Sequence, residues 1–367
     1  MSDWTPVAIL PNLFCKAAVE GGVAALVSCN DQRVQAFCAA HPKFKVMLSR
    51  FTNAFHVPIE PVVFVVATEW IPKLRDNNAL MSFIDLVAMC VIPHARSLNM
   101  LYGNSELVMY SNSFWLHPWM LSADLQHLTA STPAFAGLHV VEDFHGQSSP
   151  ELSVLELRDM DASLFEALLL AWKRHYLSKR QNWRDRALFR SLNMAFQAAQ
   201  IPAGVGTRLY DLGRMVALWV SAFEILAHPR SADSGIRYVY LLLEKVSYLD
   251  RNLGRKRYAA YAGRRKPWPR RALPCWLYGK LYRARCDFLH GNPISARLLT
   301  PKGLKVSLFW LAPALYRLVL TGALELSFAQ KLSSKANEQA IGDYMNARHL
   351  FRDPQSIIER ALLRSRK

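Results

Sequence analysis

Arginine and histidine stand five residues apart in Arg285-Cys286-Asp287-Phe288-Leu289-His290, and among the eleven histidines of this chain only His290 has an arginine at that distance before it. A guanidinium presents a planar fork of donors that matches phosphate oxygens, and an imidazole can take up and return a proton near neutral pH. Those are the parts needed for phosphoryl chemistry. On a helical wheel at about 100° per residue, Phe288, Leu281, Leu289, Tyr282 and Cys286 cover one broad apolar arc, and Arg285 falls inside it. Desolvating an unpaired guanidinium costs several kcal/mol, so the placement requires a carboxylate, a bound phosphate or an open cleft. The plain alternative is an arginine snorkelling at the helix margin. His290 closes the same helix, because Gly291-Asn292-Pro293 follows with helix-stopping chemistry, and the ring then sits at the negative end of the helix dipole.

A second charge poses the mirror-image problem. From Met215 to Ala227 the chain reads as an apolar helix, and Glu224 is the only charged residue between Arg214 and His228. Pairing Glu224 with Arg285 would satisfy both groups and leave guanidinium donors free for an anion. Arg214, Arg283 or a solvent-facing gap could satisfy Glu224 instead.

The segment Arg251 to Arg271 carries nine Arg or Lys residues and no acid, with three aromatics, two glycines and two prolines. It reads as an exposed basic loop. Arg255, Lys256, Arg257, Arg264, Arg265 and Lys266 would contact RNA phosphates with little sequence preference, and Tyr258, Tyr261 or Trp268 would stack on unpaired bases. The opposing view is a solvated insertion. A second basic cluster, Lys173, Arg174, Lys179, Arg180, Arg184, Arg186 and Arg190, reads as helix surface rather than a site.

These residues need a scaffold, and 367 residues at about 150 per domain give about two domains. Apolar residues make up 51% of the chain, enough to bury real cores, and the net charge of +17 favours phosphate-rich partners or anionic surfaces. The expected fold class is α+β. Residues 1–150 read as a mixed α/β domain of unassigned role, with strands at Pro61–Thr68 and Glu106–Tyr110, a helix over Asn78–Cys90, and turns at Tyr102–Ser105 and Gly146–Pro150. Residues 151–330 read as a strand-free helical bundle over Asp161–Leu177, Trp183–Ala199, Leu209–Ala227, Ile236–Leu249, Cys275–His290 and Leu304–Leu326, joined by turns such as Ile201–Gly204. A helical tail over 331–367 completes the expectation.

The start of the chain lacks the pattern of a signal peptide, and Val216–Ala227 and Val306–Leu326 suit buried helices better than bilayer spans, so a cytoplasmic protein without membrane attachment is expected. The six cysteines read as reduced thiols. Cys29, Cys38 and His41 would supply three zinc ligands but lack a fourth, so no metal or other cofactor is expected. His56, His94, His117, His127, His139 and His145 show no triad or metal spacing.

Leu281-Tyr282-Arg283-Ala284-Arg285 leading into the motif, His290-Gly291 leading out of it, and Leu218-Trp219-Val220-Ser221-Ala222-Phe223-Glu224-Ile225-Leu226 upstream resemble the ApeA-like branch of the HEPN superfamily of helical ribonucleases and nucleotide-binding domains. The resemblance covers about residues 180–330. It implies an all-α HEPN-type bundle and a metal-independent endoribonuclease in antiviral defence or acting as a toxin. Arg285 would bind the scissile phosphate, His290 would handle protons and Glu224 would support them, giving a 2′,3′-cyclic phosphate. It also implies a homodimer or higher homo-oligomer bringing two motifs together, with RNA as partner and an unidentified trigger or partner protein. The alternative within the same fold is a noncatalytic RNA-binding or sensor module.

Overall fold

The computed structural model describes residues 4–53, 56–74, 77–103, 109–116, 120–121, 128–132, 135–139, 153–178, 182–200, 208–230, 235–263, 266–326, 337–339 and 353–366. The protein is α+β, with a small N-terminal sheet and a mostly helical C-terminal region. It divides into two compact units, Met1–Ile84 with Ser111–Leu157, and Asp85–Tyr110 with Arg158–Lys367. The division differs from a cut at residue 150 in that residues 85–110 belong to the second unit.

The first unit is built on β1 (Trp4–Leu10), β2 (Leu13–Cys15), β3 (Val19–Glu20), β4 (Ala24–Ser28) and β5 (Val62–Ala67). Four of these form an antiparallel sheet in the order β1-β5-β4-β3. All six residues of β5 are buried, which accounts for an apolar run without alternation: the strand is central and covered on both faces. On one face Ile9, Val27, Val63 and Val65 pack with Val34, Phe37, Phe44 and Leu48 of α1 (Gln32–Ala40) and α2 (Pro42–Leu48). On the other, Phe64 stacks on Phe83 at 5.2 Å. A short α3 (Ile71–Leu74) leads into α4 (Asn77–Tyr102), which supplies Phe83 from its first turns. Strands β6 (Met120–Leu121), β7 (Leu128–Thr132) and β8 (Phe135–His139) form a second antiparallel sheet. β9 (Ser153–Leu155) pairs parallel with β2, which carries this unit past residue 150. Met109 and Tyr110 are not in a strand, contrary to expectation; Glu106–Val108, Asn104–Ser105, Gly146–Pro150, His117, His127 and His145 lie outside the described residues.

The helix expected over Asn78–Cys90 runs on to Tyr102 through Pro93, where Ser97 Oγ donates to the Pro93 carbonyl at 2.7 Å. Asn78–Tyr102 is long and apolar enough to cross a membrane, and 89% of its most apolar stretch is buried inside the protein.

The second unit gathers the rest of α4 with α5 (Ala162–Trp172, extended by a π-helical turn to Leu177), α6 (Trp183–Ala198), α7 (Leu209–Ala227), α8 (Ile236–Lys245), α9 (Arg251–Gly254), α10 (Leu273–Leu289), α11 (Ala296–Leu299), α12 (Leu308–Leu324) and α13 (Pro354–Arg364). α7 is central, packing on α6, α8, α10 and α12. Its Phe223 lies 4.9 Å from the Tyr278 ring of α10 and 5.4 Å from the Tyr316 ring of α12. α8 and α12 approach so closely that a Cβ at Gly322 would lie 2.3 Å from the Leu242 carbonyl oxygen. α8 stops at Lys245, short of the expected Leu249, and α12 starts at Leu308 rather than Leu304.

Two features depart from a strand-free bundle with a tail. A ribbon of β10 (Tyr258–Ala259) and β11 (Arg270–Arg271) interrupts the helices. The C-terminal helix α13 is docked, with Ile357, Ile358, Ala361 and Leu362 buried. Residues 331–336 and 340–352 and the Ile201–Gly204 turn lie outside the described residues. A buried polar network fastens α13: the Arg317 guanidinium donates to Asp161 Oδ2 from Nε at 2.7 Å and Nη2 at 2.6 Å, and to Thr321 Oγ1 and Gln355 Oε1 from Nη1. Gln355 passes a bond on to Glu359, whose carboxylate accepts the backbone N–H groups of Leu249 and Asp250.

Candidate functional site

The motif occupies the last turn of α10. Its stop is chemical: the His290 N–H donates to the Cys286 carbonyl at 3.0 Å, Gly291 takes φ +68°, and the Asn292 N–H reaches back to the Asp287 carbonyl at 3.2 Å. This is the glycine-closed helix end read from Gly291-Asn292-Pro293. Upstream, Leu281 is fully buried, whereas Tyr282, Arg285, Cys286 and Phe288 are half-buried, Leu289 is 55% exposed and His290 is exposed. The apolar arc therefore outruns the core, and the final turn projects beyond it. Phe288 anchors that turn on α7: a Cβ at Gly213 would lie 2.1 Å from its ring, so only glycine permits the contact.

Arg285 is half-buried, not enclosed. Its Nε is buried with no hydrogen-bond partner. The expected Glu224–Arg285 ion pair does not form, since among the described residues no salt bridge joins them. The alternative cations are also engaged elsewhere, Arg214 near Asp211 at 3.9 Å and Arg283 near Asp287 at 4.0 Å. Glu224 lies on the half-covered side of α7 with Leu218, Ser221 and Ile225. Burial pushes its carboxyl up from the ordinary range, and the field of Arg285 pulls it partly back. The two groups are therefore electrostatic neighbours without contact. A raised folded-state value means that Glu224 favours the fold in its protonated form and loses that contribution as pH rises. Glu224→Gln is accordingly expected to leave thermal stability at neutral pH unchanged or slightly raised. A loss of about 3 kcal/mol, the mark of a broken buried pair, would reinstate the ion pair.

His290 and Arg285 do not hydrogen-bond to each other within one copy of the chain. Five helical residues separate them by about 140° around the axis and about 7.5 Å along it.

The basic segment is a folded structure rather than an open loop. Arg255, Lys256, Arg257 and Lys266 are exposed, and Arg264 and Arg265 lie outside the described residues. Between them the β10–β11 ribbon is closed by the Ala260 N–H donating to the Pro269 carbonyl at 3.0 Å. The counter-charge absent from the segment comes from α8: Arg271 Nη1 donates to both Glu244 carboxylate oxygens at 3.0 Å, and Lys256 Nζ stands 4.0 Å from the same group. The aromatics are ordered too. The Arg366 guanidinium lies 4.7 Å from the Tyr258 ring centre, Lys266 lies 5.4 Å from that of Trp268, and Trp268 meets Tyr261 edge-on at 5.2 Å. Tyr261 in turn lies 6.0 Å from Tyr282, on the motif helix. In the other basic cluster, Arg174 pairs with buried Asp185 at 2.5 Å, Arg184, Arg186 and Arg190 are exposed helix surface, and Lys179 and Arg180 lie outside the described residues.

Two buried charges in α4 belong to none of the motifs above. Arg96 is fully buried with its guanidinium between the Tyr110 and Phe309 rings, at 4.3 and 4.8 Å, and donates to the Ala199 carbonyl at 2.5 Å. Burial pushes its pKa down to about 9. Asp85, also fully buried, accepts from Asn193 Nδ2 at 3.3 Å and is pushed up to about 8 by burial. The signal was available, for Asp85 and Arg96 are the only Asp, Glu, Lys or Arg residues between Asn77 and Tyr102.

All six cysteines are free. Among the described residues no three His, Cys, Asp or Glu side chains gather as a metal site, Cys29, Cys38 and His41 included. No family model, curated protein or solved structure matches the chain.

Proposed function

We propose that the chain is a metal-independent endoribonuclease of HEPN type, cleaving RNA through its own 2′-hydroxyl in antiviral defence or as a toxin. The observation that carries the reading is Arg285, a half-buried residue whose Nε is desolvated and unpartnered. A guanidinium held this way gains most from an arriving oxyanion. His290 stands exposed on the same helix end, and exposed Arg255, Lys256, Arg257 and Lys266 supply phosphate attraction in the same unit.

In this reading His290 accepts the 2′-hydroxyl proton as that oxygen attacks phosphorus, and Arg285 neutralises charge building on the non-bridging oxygens. The bond from phosphorus to the 5′-oxygen breaks, and the departing oxygen takes up a proton. The products are a 2′,3′-cyclic phosphate and a 5′-hydroxyl. Arg285 and His290 do not hydrogen-bond to each other within one copy, and pairing of two copies would bring the motifs of both to one phosphate.

The test is incubation of purified protein with labelled RNA in EDTA, followed by analysis of the new ends. Cyclic phosphate ends, resistance of a substrate with a 2′-deoxy sugar at the cut site, and a loss of about 10²- to 10⁴-fold in folded Arg285→Ala and His290→Ala variants are expected. Full cleavage by either variant, or dependence on added divalent metal, would sink the mechanism. Binding of RNA without cleavage would instead favour the noncatalytic reading.

A further inference from the structure

The basic ribbon and the motif helix are joined by a line of half-buried rings. Lys266 lies over Trp268, Trp268 meets Tyr261 at 5.2 Å with planes 69° apart, and Tyr261 meets Tyr282 at 6.0 Å with planes 35° apart. Tyr282 precedes Arg285 by three residues, so the two share one side of α10 at about one turn's spacing. We propose that Trp268, Tyr261 and Tyr282 form a base-stacking track that holds unpaired nucleobases of a single-stranded RNA and leads its backbone to Arg285.

None of the three rings is stacked flat on the next, and each remains partly exposed. The rings are also held in place. Trp268 Nε1 donates to the Gly263 carbonyl at 3.0 Å, and the Tyr261 carbonyl accepts from the Tyr240 hydroxyl at 2.7 Å. Gly279 lets α10 approach the ribbon, since a Cβ there would lie 3.1 Å from Tyr261 N. Rigid aromatic surface flanked by cations is the arrangement that binds single strands with little sequence preference, because every base has a flat face. A duplex keeps its bases stacked on one another and cannot use it. The cations divide the work: Arg271 is neutralised by Glu244 and holds the ribbon, whereas exposed Lys266 and Arg270 are placed to meet phosphates beside the rings.

The inference rests on the RNA reading above, and a binding measurement separates the two. Affinity would be read by fluorescence anisotropy for a short single strand with 2′-O-methyl sugars, which cannot be cut through the 2′-oxygen, and for the same strand annealed to its complement. Trp268→Leu and Tyr282→Leu keep apolar bulk without a ring, and Trp268→Phe and Tyr282→Phe keep a ring. The single strand is expected to bind more tightly than the duplex, each Leu variant to weaken binding by roughly 5- to 150-fold, and each Phe variant to stay near the parent. Leu variants that melt and bind like the parent, equal binding of single strand and duplex, or tighter binding of anionic phospholipid vesicles than of RNA would overturn the track. Ring-dependent binding with no cleavage of ordinary RNA would uphold the track and discard the nuclease; ring-independent binding with cleavage would do the reverse.

Discussion

Arg317→Met is expected to lower the free energy of unfolding by about 3–5 kcal/mol, read from the midpoint of chemical denaturation. Arg317 is 1% exposed, and its loss would strand the Asp161 carboxylate, also buried, without its counter-charge. Asp161 also caps α5, its Oδ1 accepting the Leu164 N–H at 3.1 Å, so the damage reaches the start of the bundle. Through Gln355 the same guanidinium fastens α13. Adding Asp161→Asn to Arg317→Met should recover most of the loss, because asparagine keeps the cap and removes the stranded charge. A single variant within about 1 kcal/mol of the parent would show that the network contributes little.

Asp85→Asn is expected to act in the opposite direction and to depend on pH. Burial in α4 holds the folded-state carboxyl near 8, against about 3.9 in an unfolded chain. The folded state therefore keeps a proton that the unfolded state has lost, and stability falls through the interval between those values by about 1.4 kcal/mol per pH unit. Above pH 8 both states are ionised and the slope from this group ends. At pH 7 the variant should be more stable than the parent by a few kcal/mol, and its stability profile from pH 4 to 8 should be flatter by one proton. Parallel profiles would mean that Asp85 is ionised in the fold and held by Asn193 and surroundings more polar than its burial indicates.

Periodicity and composition determined the long helices α5, α6, α7, α8, α10 and α12 of the second unit by themselves. Amphipathic and apolar runs of 10 to 19 residues recur there with stop signals, and the apolar run at Val62–Ala67 became the central strand for the same local reason. The motif turn was legible as well, since Gly291, Asn292 and Pro293 act within a few residues of backbone. Partnership was decided only by the tertiary structure. Glu224 and Arg285 both pose a desolvation problem, but each can solve it by lying at the edge of the core, and no local pattern says where that edge runs. Arg271 found its acid, Glu244, at a separation of 27 residues, and Arg317 found Asp161 at a separation of 156 residues. The basic segment read as loop because two-residue strands carry no periodicity; its ribbon exists through cross-strand bonds and aromatic contacts with α8 and α10. Local free energies of helix and turn are written in neighbouring residues, whereas the match between distant charges depends on packing that brings them within a few ångströms.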